Sequence, residues 1–169
     1  MLLQTGAIMI VMGIDPGSRA TGYALITKKG GRFQLIEAGV IKTNTKKTIP
    51  ERLLEIHTGL QEIISEHKPS TIGIETVFYH HSSEAIVRLS QARGVALLAC
   101  AQAGIPAEPY NPTTIKKSVG GHGKATKKEM IRLVSRLLGL KKDLTSDAAD
   151  ATAIAITHLM HSSFKRKLR

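Results

Sequence analysis

The sequence predicts an α/β fold: a five-stranded mixed sheet, made of an antiparallel meander of three strands plus two parallel strands, flanked by helices. Three observations predict it. Three apolar runs separated by short turn signals open the chain. Two further apolar runs, TIGIE and IPAEPY, each follow a segment with helical character. Strands that alternate with helices need crossover connections, and crossovers join parallel strands.

Residues 7–15 are read as a buried first strand, and residues 21–28 as the second. KKGG at 28–31 is a turn, and RFQLIEAGVIK at 32–42 is the third strand. Residues 50–67 carry apolar side chains at 53, 56, 60, 63 and 64, which is a helical period. Pro50 suits the first turn of that helix, and Lys68-Pro69 closes it. TIGIE at 71–75 is a fourth strand, and residues 82–103 form a long helix ended by Gly104. Residues 105–110 form a short fifth strand, and residues 113–118 one or two helical turns. Thr126 begins an amphipathic helix over 126–138, and Ser146 caps a last helix over 146–161.

The 169 residues are enough for one domain spanning 1–169 with a real core, a short N-terminal extension over about 1–6 and a basic tail over about 162–169. Hydrophobic residues at 42% and charged residues at 22% exclude a disordered chain. The single cysteine, Cys100, excludes an intrachain disulfide and a cysteine metal cluster, and fits a reducing, cytoplasmic setting. The apolar start lacks a basic flank and a small-residue cleavage site, so it reads as a tail plus a core strand. No apolar run approaches the roughly 20 residues of a membrane helix, so no membrane partner is expected. Lys plus Arg is 24 and Asp plus Glu is 13, a net charge of +11. Such a chain expects a polyanionic partner, and the tail FKRKLR is either a solvated arm or a nucleic-acid contact.

The acids fall at element boundaries. Asp15 follows the first strand and precedes a Pro-Gly turn. Glu75 ends TIGIE. Asp147 and Asp150 open the last helix, three residues apart and therefore on one face. Helix dipole and capping explain Asp147 well and Asp150 less well. The alanines around them allow that helix to lie close against a sheet. Ligands of open α/β sheets gather at the carboxyl ends of strands. Four carboxylates converging there would repel unless cations sat among them, and oxygen-only ligands suit Mg²⁺ or Mn²⁺. In a basic chain this points to a two-metal phosphodiester hydrolase.

Four stretches, GIDPGSRATGY at 13–23, IETVF at 74–78, SQARGVA at 90–96 and SDAADATAIAITH at 146–158, resemble the RuvC family of Holliday-junction endonucleases, of the RNase H-like superfamily. The resemblance covers almost the whole chain. It implies that Asp15, Glu75, Asp147 and Asp150 are the catalytic acids and hold two Mg²⁺ ions, with Mn²⁺ as a possible substitute. It implies symmetric nicking of two strands of a four-way DNA junction, in recombination and repair. It also implies a homodimer and a branch-migration motor of the RuvA and RuvB type as partners. Phe78 is implied to stack on bases near the junction, where its alternative role is packing under the next helix. Functional lysines are implied at Lys116 and Lys127, with Lys117 and Lys128 one residue away. His80, His81 and His122 are read as loop residues.

Three other classes compete. A nucleotide-binding ATPase of the actin-like kind needs two such domains, and no Walker-type loop is present. A non-catalytic junction-binding module gains nothing from clustered acids. Another RNase H-like nuclease acting on RNA shares the acids, and only Phe78 and the lysine segment point to junctions instead.

Overall fold

The computed structural model describes residues 9–77 and 82–167, with side chains as far as residue 162. The elements are β1 (Val11–Asp15), β2 (Ala20–Lys29), β3 (Arg32–Lys42), α1 (Ile49–His67), β4 (Thr71–Glu75), α2 (Ser83–Gln102), β5 (Ala107–Tyr110), α3 (Pro112–Gly120), α4 (Lys127–Leu137) and α5 (Ser146–Lys167). They form one five-stranded sheet in the order β3-β2-β1-β4-β5. The pairs β1–β2 and β2–β3 are antiparallel, and β1–β4 and β4–β5 are parallel. This is the mixed sheet that the alternation of patterns predicts.

Several boundaries differ from the sequence reading. The first strand begins at Val11 rather than residue 7; residues 7 and 8 lie outside the described residues. The fifth strand begins at Ala107, because Ile105 is held by the end of α2 through its N–H to the Cys100 carbonyl. The short helix is longer than one or two turns: the Asn111 side chain accepts from the Thr114 N–H, Pro112 fits the first turn, and Gly121 closes it in the left-handed region at φ 75°. Thr126 caps α4 with a reciprocal Glu129 contact, as its position suggests. Ser146 is not the cap of α5. The Thr145 carbonyl opens the helical ladder by accepting from Ala149, and the buried Ser146 hydroxyl has no hydrogen-bond partner among the described residues. Helix α5 runs on to Lys167, so much of the basic tail continues the helix.

The pleat decides what each strand residue faces, because successive side chains point to opposite sides. Met12 and Ile14 of β1 and Ile72 and Ile74 of β4 are buried against α1 and α2. The alternate residues face α5. There the sheet presents glycine: a Cβ on Gly13 would lie 2.1 Å from the Ala151 carbonyl oxygen, and one on Gly73 would lie 2.8 Å from the His158 Cβ. Alanines at 148, 149, 151, 153 and 155 complete the fit on the helix side. Glycine against alanine brings backbone to backbone, so α5 rests on the sheet with little side chain between them.

The far half of α5 is tied by a buried polar relay. The Tyr110 hydroxyl bonds His158 Nδ1 at 2.9 Å, and His158 Nε2 bonds Thr71 Oγ1 at 2.8 Å. Burial pushes the Tyr110 phenol up to about 12, so it remains a donor. With the phenol as donor, His158 Nδ1 accepts, and Nε2 faces the Thr71 hydroxyl.

Candidate active site

Asp15 and Glu75 occupy the last positions of β1 and β4. Both belong to the set of residues that faces α5, by the same alternation that places Gly13 and Gly73 there. The strands are parallel neighbours with Ile14 opposite Ile74, so the two acids end up side by side at the carboxyl edge. The chain then turns sharply away from Asp15. The Gly17 carbonyl accepts from the Thr21 hydroxyl at 2.9 Å. The Ser18 carbonyl accepts from the Thr43 hydroxyl at 2.9 Å and from the buried Arg52 guanidinium. The turn is thus bolted to β2, to the segment after β3 and to α1.

Helix α5 brings the other two acids. Its first turn lies over β2: a Cβ on Gly22 would sit 2.2 Å from the Asp147 carbonyl oxygen. Gly22 is the residue paired with Asp15 across the ladder. One carboxylate oxygen each from Asp15, Asp147 and Asp150 lie within 4.8 Å of one another. Glu75 lines the same cleft, and after burial its carboxyl is the largest influence raising Asp15. Three elements distant in sequence therefore deliver four carboxyl groups to one edge.

The charges are not balanced within the protein. Burial, then the Glu75, Asp150 and Asp147 carboxyls, push Asp15 well above the usual carboxylate range. Burial also raises Glu75 and Asp150, against the pull of Lys127 and Lys116. Lys127 Nζ forms an ion pair with Asp150 Oδ2 at 3.0 Å. Burial works against the Lys127 charge, but Asp150 and the neighbouring acids outweigh it and raise its value.

The acids line a cleft of about 290 Å³ together with Pro16, Leu89, Arg93 and Lys127. A smaller cavity of about 190 Å³ adjoins Glu75 and Asp150, floored by Ile115, Met130 and Ile154 and edged by Lys116 and Lys127. Of each lysine pair, the structure brings Lys116 and Lys127 to the acids, while Lys117 and Lys128 are exposed and line neither space. Phe78, His80 and His81 lie outside the described residues. His122 is exposed, and its Nδ1 accepts from the Lys124 N–H at 3.4 Å. Sequence reasoning missed Arg93 and Arg52. Arg93 falls inside SQARGVA, one of the stretches that carry the resemblance, and that was the only signal the sequence offered for it.

A mixed sheet with acids at the ends of two adjacent parallel strands, crossed by a helix bearing two more, defines the RNase H-like class of nuclease folds. Comparison with known proteins narrows the class. Residues 11–158 match the family described as "Crossover junction endodeoxyribonuclease RuvC". A protein of that name from Solidesulfovibrio magneticus is 42% identical over 150 residues, covering 89% of each chain. The structure of Thermus thermophilus RuvC in complex with Holliday junction substrate superposes with a TM-score of 0.87 at 33% identity, covering 93% of this chain and 96% of that one. The yeast mitochondrial Holliday junction resolvase Ydc2 shares the fold, with a TM-score of 0.61 at 14% identity. The chain belongs to the RuvC family of crossover junction endodeoxyribonucleases.

Proposed function

We propose that the protein resolves four-way DNA junctions by metal-dependent nicking, with Asp15, Glu75, Asp147 and Asp150 holding two Mg²⁺ ions. The observation that carries this reading is the unbalanced cluster itself: four carboxyls at one sheet edge, three of them raised by burial and mutual repulsion. The donor set is all oxygen, which fits Mg²⁺ or Mn²⁺. The chemistry such ions supply is activation of the attacking water and stabilisation of the leaving oxygen. The chain's own residues do the rest. The bolted turn keeps Asp15 aimed along the edge, and the tight seat of α5 holds Asp147 and Asp150 at a set height above the sheet. Lys127 and Lys116 supply positive charge where a phosphate backbone would enter, and Phe78 is the proposed stacking residue near the junction.

Symmetric nicking needs two sites, and the described residues of each chain hold one acid cluster, so the working unit in this reading is a homodimer. Exposed Val87 and Leu98 place apolar surface on α2 for that contact. The same reading gives the protein a branch-migration motor as partner and the cytoplasm as its compartment. Among the described residues no helix is long and apolar enough to cross a membrane. Cys100 is buried, which pushes its thiol up to about 11 and leaves it unreactive.

Cleavage of a synthetic four-way junction, a linear duplex and an RNA–DNA hybrid, each with Mg²⁺ and with EDTA, tests the proposal. Paired symmetric nicks in the junction alone, and only with metal, are expected. Preferential cutting of the hybrid would replace the substrate, and tight junction binding without cutting under any metal would replace the activity.

A further inference from the structure

Arg93 stands in the same cleft as the acids, and no role has yet been given to it. It lies midway along α2, where that helix passes the carboxyl end of β4. Its Nε donates to the backbone carbonyl of Glu75 at 3.1 Å. That carbonyl sits where the ladder with β5 ends, at the pair Glu75 and Tyr110. The bond ties the strand end that carries Glu75 to α2. It also fixes the plane of the guanidinium, because an arginine head is rigid and flat.

The remaining charge has no protein partner. Among the described residues Arg93 forms no ion pair, and its terminal nitrogens make no hydrogen bond; the ion pair at the acids belongs to Lys127. Arg93 is half-buried beside the acids, yet no carboxylate among the described residues pairs with its guanidinium, which leaves the charge without a structural use. A neutral amide would cap the same carbonyl at lower desolvation. What the arginine adds is a two-pronged donor facing a cleft that accumulates negative charge once a nucleic-acid strand enters. A guanidinium edge matches the paired non-bridging oxygens of a phosphodiester.

We propose that Arg93 is a phosphate-binding residue of the cleavage site. Its Nε, held on the Glu75 carbonyl, aims the two terminal nitrogens at one phosphate of the cut strand, either the scissile phosphate or one flanking it. The inference rests on the junction-cleaving reading above. One residue thereby couples the position of a catalytic acid to the position of the substrate backbone.

The test pairs protein and substrate changes. Arg93→Gln keeps a donor for the Glu75 carbonyl and removes the charge; Arg93→Lys keeps charge and loses the fork. Junctions carry a single neutral methylphosphonate at the scissile phosphate or at either neighbour. Single-turnover cleavage with Mg²⁺ and junction binding with Ca²⁺ are measured for every combination, with a thermal melt of each variant. Arg93→Gln is expected to slow cleavage about 100-fold, the usual effect of removing a preorganised donor, with an unchanged melt, and Arg93→Lys to recover only part. At one of the three positions the methylphosphonate should weaken the wild type and leave Arg93→Gln no worse. Equal sensitivity of wild type and Arg93→Gln at all three positions, or cleavage by Arg93→Gln within about threefold of wild type, would overturn the role. Failure of the wild type to cut the unmodified junction would remove the underlying reading, and this inference with it.

Discussion

Gly22→Ala perturbs the candidate active site through packing alone. The new Cβ would lie 2.2 Å from the Asp147 carbonyl oxygen and 2.8 Å from its carbonyl carbon. Real Cβ atoms essentially never come within 3.0 Å, so the helix backbone must withdraw by at least about 0.8 Å. The obstacle is main chain and cannot rotate aside, so the first turn of α5 has to move as a unit. That turn carries Asp147 and Asp150. Asp15, paired with Gly22 on the neighbouring strand, stays where the sheet holds it. Displacements near 1 Å at a reacting centre cost about 100-fold in rate. Overpacking also costs about 1–3 kcal/mol, or roughly 2–12 °C in melting temperature for a chain of this size. Single-turnover junction cleavage and a thermal melt measure both effects. A Gly22→Ala protein that cuts and melts like the wild type would refute the close seat of α5 on β2.

The other predictions use the same site and its supports. Asp15 is raised by burial and by its acidic neighbours, so ionising it opposes folding; the penalty is absent below the unfolded value and grows as pH rises toward the folded one. Asp15→Asn should therefore raise the melting temperature of the metal-free protein at neutral pH, the gain should fade toward about pH 4, and cleavage should be lost. Titration with Mg²⁺ should stabilise the wild type and do less for that variant. Lys116→Ala and Lys127→Ala should each weaken junction binding and lower its salt dependence by about one unit, with smaller effects from Lys117→Ala and Lys128→Ala, as read by anisotropy across a salt series. Tyr110→Phe removes the donor to His158 and should lower stability by about 1–2 kcal/mol in denaturant melts.

Local chemistry made much of this protein legible in its residues. TIGIE reads as a strand and is one, from Thr71 to Glu75. The helical period at 53, 56, 60, 63 and 64 marks α1, and Thr126 marks the start of α4. Each of these rests on neighbours within a turn or a pleat, so the information is contained in a short window. The four acids were visible for the same reason, Asp15 and Glu75 where apolar runs stop and Asp147 and Asp150 where the last helix opens. Other features depended on docking. Ser146 has the chemistry of a cap, yet the ladder opens at Thr145. Nothing in KK at 116–117 or 127–128 says which lysine turns inward; the seating of α3 and α4 against α5 chooses Lys116 and Lys127. Arg93 reads as one more charge on a helix until α2 is laid across the end of β4. Periodicity specifies which face of an element is apolar, whereas contacts between elements tens of residues apart arise only when those faces close on one another. The acid cluster is such a contact: the sequence names its members, and the packing of α5 on a glycine-lined sheet brings them together.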